Sequence, residues 1–164
     1  MGFGRIRPRV VLASALFVAM LLSGEVHAVG FSEFVDPHPA AGNQFGHTVV
    51  ALSTGNVVIT SPFDDFGGTD AGAVYLFNGA TGALISTLRG TSANDGVGSS
   101  GVTALANGNY VVQSAFWDNG AVLDAGAVTW GSGTSGVSGT ISAANSLVGS
   151  TAFANVGEEN SVPA

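Results

Sequence analysis

The sequence predicts an all-β protein built from two tandem four-stranded antiparallel units. Three observations carry that reading. First, the chain repeats itself: Ala51-Leu52-Ser53-Thr54-Gly55-Asn56-Val57-Val58 returns as Ala104-Leu105-Ala106-Asn107-Gly108-Asn109-Tyr110-Val111 at an offset of 53, and Asp70-Ala71-Gly72-Ala73-Val74 returns as Asp124-Ala125-Gly126-Ala127-Val128 at 54. A fixed period of this size marks stacked supersecondary units. Second, 25 of 164 residues are Gly, and short runs of Val, Thr, Phe, Tyr and Trp are broken by Gly, Asn, Ser and Asp, the rhythm of strands and turns. Third, beyond the first 28 residues no stretch keeps apolar residues at helical spacing over three turns.

The N-terminus stands apart from these units. Arg5, Arg7 and Arg9 lead into an apolar run from Val10 to Leu22, then Ser23-Gly24-Glu25 and the small-x-Ala sequence Val26-His27-Ala28. This is the pattern of a secretory signal peptide cleaved after Ala28, since a membrane span needs about 20 apolar residues. Without cysteine there is no lipoprotein anchor, and Arg5-Ile6-Arg7 is not a twin-arginine pair. Residues 29–164 would then carry ten acids against Arg89 alone, a formal charge of −9, with no lysine. Such a chain repels phosphate backbones and anionic headgroups, which excludes nucleic-acid binding and polybasic membrane attachment. Export without disulfides fits a bacterial origin and a secreted or cell-surface location.

Element by element, residues 29–44 read as the lead-in strand and loop of a partial unit, with Phe31–Val35 as the strand. Residues 45–93 form unit 1. In it His47–Leu52 is a strand, Ser53–Asn56 a tight turn and Val57–Thr60 the return, stopped by Pro62, which has no N–H to donate. A loop spans Phe63–Asp70; Gly72–Phe77 is the third strand, Asn78–Gly82 a turn and Ala83–Leu88 the fourth. Residues 94–145 repeat this order as unit 2, with strands at Val102–Leu105, Asn109–Ser114, Gly126–Trp130 and Val137–Ser142. Residues 146–164 read as the truncated start of a third unit, because Gly149-Ser150-Thr151-Ala152 echoes Gly90-Thr91-Ser92-Ala93 and Val156-Gly157 echoes Val97-Gly98.

Phe45-Gly46, the strand to Val50, Ser61-Pro62 and Gly72-Ala73-Val74-Tyr75-Leu76-Phe77 together resemble an FG-GAP repeat, the blade of integrin-α-type β-propellers. Unit 2 keeps Val97-Gly98 and Gly126–Trp130 but has Ala115 in place of the proline. Its segments Ala104–Val112, Trp117–Gly120, Asp124–Gly131, Gly136–Gly139 and Asn145–Ser150 are similar to tandem units of unknown function in very large exported bacterial proteins of the adhesin or haemagglutinin kind. The resemblance spans about residues 31–157 and implies blade-like units of β-propeller type in an incomplete ring, with an open solenoid as the alternative. A propeller closes with about 4–8 blades, so two units leave open faces through which chains can associate.

The family's calcium loop, between the first two strands of a blade, is here only Ser53–Asn56 and Ala106–Gly108 and holds no carboxylate. Acids recur instead in the next loop: Asp64, Asp65 and Asp70 in unit 1, and Asp118, Asn119 and Asp124 in unit 2. Oxygen ligands on such a loop suit calcium, although a calcium site takes about 6–8 oxygens. The competing and favoured reading is that these side chains accept loop N–H groups and brace the entry to the third strand. Phe66 and Trp117, beside the acids, are the candidate ligand-binding rings for a protein or glycan, while Phe63 and Phe116 are expected to be buried. Gly131-Ser132-Gly133-Thr134-Ser135-Gly136 satisfies G-x-G-x-x-G, but no helix follows and the repeat aligns it with the Asn78–Gly82 turn. His38 and His47 lack ligand spacing, and no G-x-S-x-G elbow occurs.

Three function classes follow from these readings. Foremost is a non-catalytic secreted or surface-displayed repeat module for adhesion or structural display. A carbohydrate- or calcium-binding module is second. An enzyme or hydrolase-associated domain is third and would require His38 or His47 to meet an acid in a cleft.

Overall fold

The computed structural model describes residues 9–10 and 33–158. Most of the leader, Phe31 at the start of the lead-in strand, and the tail from residue 159 lie outside the described residues. Among the described residues there is no helix, and the eleven strands are β1 (Arg9–Val10), β2 (Phe34–Val35), β3 (Val49–Ala51), β4 (Asn56–Ser61), β5 (Ala73–Asn78), β6 (Leu84–Arg89), β7 (Val102–Ala104), β8 (Tyr110–Ser114), β9 (Ala127–Gly131), β10 (Gly139–Thr140) and β11 (Ser146–Val148). β1 and β2 pair antiparallel as a short ribbon.

The first large sheet runs β10-β6-β5-β4-β3 and the second β11-β9-β8-β7. Unit 1 folds as its sequence reads, as an antiparallel meander of β3 to β6. The Leu52–Asn56 turn closes through Gly55 N to Leu52 O at 3.0 Å, and β4 ends at Ser61, just before Pro62.

Unit 2 departs from expectation in its fourth strand. The turn after β9 forms as expected, with Gly136 N donating to Ser132 O at 2.8 Å. Residues 137–142 do not then pair with β9. They cross to the first sheet, where β10 runs parallel to β6, Gly139 opposite Leu88 and Thr140 opposite Arg89. The free edge of β6 offers unpaired backbone groups, and the crossing buries Ile141 in the core between the sheets. Asn145 turns the chain back, its Nδ2 donating to Thr140 O at 2.9 Å and its Oδ1 accepting Ser142 N at 2.9 Å. The place beside β9 is filled by β11, so Ser146–Val148 completes the second sheet rather than opening a third unit.

The sheets stack front to back. Val58, Val74, Leu76 and Leu88 on one face of the first sheet pack with Tyr110, Val112, Trp117, Ala127 and Ile141. The other face of the first sheet carries Ile59, Ala73, Tyr75 and Phe77 and is covered by Phe34 of the lead-in segment and Phe45 at the start of unit 1. The alternation of side chains along each strand produces this double-sided burial, which explains why β5 is apolar at Val74, Tyr75, Leu76 and Phe77 in succession.

One loop is built three times. Left-handed backbone occurs at Gly42, Gln44 and Gly46 (φ 87°, 56° and 93°), at Asn94, Gly96 and Gly98 (66°, 52° and 82°), and at Phe153, Asn155 and Gly157 (59°, 48° and 94°). The second and third copies dock alike: Val97 N donates to Ala71 O at 3.0 Å and Val156 N to Ala125 O at 3.1 Å. The echo of residues 90–98 in 149–157 is therefore structural as well as sequential.

Phe153 is a bulky ring in a left-handed position that the other two copies fill with Gly42 and Asn94. It is exposed, so no burial offsets the steric cost of about 1–2 kcal/mol. Phe153→Asn should stabilise the fold by about 1 kcal/mol, read as a higher midpoint in urea.

Candidate functional site

The two acid-bearing loops occupy equivalent places, between the second and third strands of each sheet. Both are tight: Asp64 N donates to Ser61 O at 3.1 Å and Gly72 N to Asp64 O at 3.0 Å, matched by Trp117 N to Ser114 O at 3.2 Å and Gly126 N to Trp117 O at 2.9 Å. Asp64 is thus the counterpart of Trp117, and Asp65 of Asp118. The extra residue of unit 2 sits in the small Asn119–Val122 turn, where each backbone N–H meets the other's carbonyl.

The carboxylates serve the loops themselves. Asp65 Oδ1 accepts Asp70 N at 2.9 Å, and Asp118 Oδ1 accepts Asp124 N at 2.8 Å. Asp70 and Asp124 both adopt positive φ, 52° and 47°, which these bonds hold in place. Asn119 Nδ2 donates to Gly149 O at 2.9 Å, tying its loop to the one after β11. Asp64 is fully buried, with Oδ1 accepting Phe66 N at 2.8 Å and Oδ2 accepting the Tyr75 hydroxyl at 2.5 Å. Burial, then the hydrogen bond to Asp64, then the charges of Asp64 and Asp36 push the Tyr75 phenol far above its ordinary range. Among the described residues, no three His, Asp or Glu side chains gather as a metal-binding group.

The aromatics are placed otherwise than expected. Phe63 and Phe116 are exposed, at 42% and 50%, and Trp117 is buried. Beyond the ends of β4 and β8 the chain turns with Pro62 and Ala115 buried directly after Ser61 and Ser114, which leaves Phe63 and Phe116 facing solvent and Asp64 and Trp117 pointing back into the protein. Trp117 joins the core between the sheets and its indole N–H has no partner there, so it offers no ring to an external ligand. Phe66 stays exposed but is occupied on its faces: His38 stacks on it at 3.6 Å between ring centroids, and the Arg89 guanidinium lies 4.6 Å from its centroid. His47 is exposed at the start of unit 1.

Two linking residues escaped the sequence reading. Asp95 is buried and accepts Thr91 N and Ser92 N, both at 2.8 Å, while its Oδ1 accepts Asp118 N at 3.1 Å across to the next loop. Asn43 holds the equivalent place before unit 1, where its carbonyl accepts Phe63 N at 3.2 Å. Each acid loop is thereby anchored by the loop that leads into the first strand of its sheet. The G-x-G-x-x-G stretch is a turn whose Gly133 O accepts Thr54 Oγ1 at 2.9 Å and Asn56 Nδ2 at 2.8 Å, a contact between units and not a phosphate cradle.

No curated protein and no solved structure matches the chain. Two family models do: the FG-GAP repeat matches residues 32–77, and a repeat of unknown function (DUF5650) matches residues 104–158. Both resemblances read from the sequence thus rest on matched segments, and the all-β, sheet-on-sheet arrangement is the setting in which the two repeats meet.

Proposed function

We propose that this chain is a non-catalytic β-repeat module, exported from a bacterial cell and displayed for adhesion or structural spacing. The observation that carries the reading is the use made of the recurring acids. In both units they close their own loops, which is the work of a scaffold. The matched repeats are not catalytic families, which supports the same reading. The leader of residues 1–28 supports export, and the acidic, lysine-free remainder supports a solvated exterior.

In this reading Phe63 and Phe116, exposed at equivalent positions, are the rings that meet a protein or glycan partner. The test is expression of the full chain in a bacterial host. The expected results are a mature mass beginning at Val29, loss of the protein from intact cells under external protease, and adherence of those cells to a coated surface. Replacing Phe63 and Phe116 by Ala should reduce adherence without lowering the melting temperature. An unprocessed chain retained inside the cell would overturn the reading.

A further inference from the structure

The two sheets carry equivalent faces with opposite fates. On the first sheet, Val58, Val74, Leu76 and Leu88 are covered by the second sheet. Register and repeat offset place Val111, Val128, Trp130 and Leu147 at the same positions of the second sheet: Trp130 lies opposite Val111, and Val128 opposite Leu147, as Leu76 lies opposite Val58 and Val74 opposite Leu88. Leu76 and Leu88 are 0% and 1% exposed, whereas Trp130 and Leu147 are 53% and 75% exposed. Thr103 and Gln113 complete this face, and none of the strand side chains that form it is ionisable.

We propose that this face is the contact through which two copies of the chain pair back to back about a two-fold axis. The chain itself shows what covers such a face, namely another sheet of its own kind. A second copy has one such sheet face to offer. Among the described residues, both faces of its first sheet are covered, one by the second sheet and one by Phe34 and Phe45, and the front of its second sheet lies against the first. The two open faces therefore meet each other, an isologous contact that closes as a dimer. A chain of net charge −7 opposes its own association, and an uncharged face is where two copies approach without setting like charges against each other. The inference is independent of what the module binds.

The test is the molar mass of the full chain by light scattering across a concentration series, alongside Leu147→Asp. Leu147 is largely exposed, so its replacement leaves the fold intact and places a carboxylate in the proposed contact. The expected result is twice the single-chain 16.2 kDa for the parent and the single-chain mass for Leu147→Asp. Trp130→Ser should lose the dimer in the same way. A parent that stays at the single-chain mass at every concentration overturns the proposal. So does an assembly that persists in Leu147→Asp, which would place the contact elsewhere, on the apolar leader for instance. So does a mass that keeps growing with concentration, which would mean an open array.

Discussion

Stability should fall steeply once the pH passes 10, and Tyr75 should ionise only as the protein unfolds. The chain has two tyrosines, Tyr75 and Tyr110, and both are buried. Tyr75 is raised by burial and by its bond to Asp64. Tyr110 is raised by burial, which outweighs the opposing pull of Ser86 and the Val137 backbone. An unfolded phenol ionises near 10.0. Both folded values lie above that, so above pH 10 the unfolded chain releases protons that the folded one keeps, and stability is lost as pH rises. Each group contributes up to about 1.4 kcal/mol per pH unit while its folded form keeps the proton, with Tyr75 the larger contributor and Tyr110 adding in the same direction. Well below pH 10 the two contribute no slope. Urea midpoints measured from about pH 8 to pH 11 should be flat in this respect and then drop, with tyrosinate absorbance rising together with unfolding. Both tyrosines ionising in a chain that remains folded would contradict the burial of Tyr75 against Asp64.

The second large effect concerns the docking of the repeated loop. A Cβ on Gly72 would lie 2.3 Å from Val97 N and 2.8 Å from Val97 O, and one on Gly126 would lie 2.2 Å and 2.5 Å from the same atoms of Val156. Those contacts are backbone, so no side chain can rotate away. Gly55 has a similar positive φ, 85° against 75°, with nothing within 4 Å of its would-be Cβ. Gly55→Ala should cost about 1–2 kcal/mol, the steric cost of left-handed backbone alone. Gly72→Ala and Gly126→Ala should each cost on the order of 4 kcal/mol, because the connecting loop must also leave its place beside the third strand. Equal losses at all three sites, read from denaturant midpoints, would mean that the loops do not dock as described.

Unit 1 was legible because its pattern is strong: an apolar run, the Thr54-Gly55-Asn56 turn, a second apolar run stopped by Pro62, and Gly72 opening a third. The crossing of residues 137–142 was not. Val137-Ser138-Gly139-Thr140-Ile141 has strand composition, and composition does not say whether β9 or the distant edge of β6 will accept it. The tertiary gain of burying Ile141 settled the choice. The acid loops were legible as braces, since Asx bonding is local. The orientation of their aromatics depended on whether Pro62 and Ala115 turned inward, which no offset reveals. The pairing of Asp64 with Tyr75, eleven residues apart, joins a loop to a strand through the core and has no signature in spacing. The triple loop was half visible. Only its last left-handed position is glycine in every copy, Gly46, Gly98 and Gly157, while the first is Gly42, Asn94 or Phe153.

Equivalent residues of the two stacked repeats have opposite burial, and the absence of cysteine from the chain makes this directly testable. Leu88→Cys and Leu147→Cys each introduce one thiol, at positions 1% and 75% exposed. In dilute solution, where chains are unpaired, a thiol reagent should modify Leu147→Cys at the rate of an unhindered thiol and Leu88→Cys only as fast as the protein opens. Equal rates at the two positions, or faster reaction at position 88, would contradict the front-to-back stacking of the repeats.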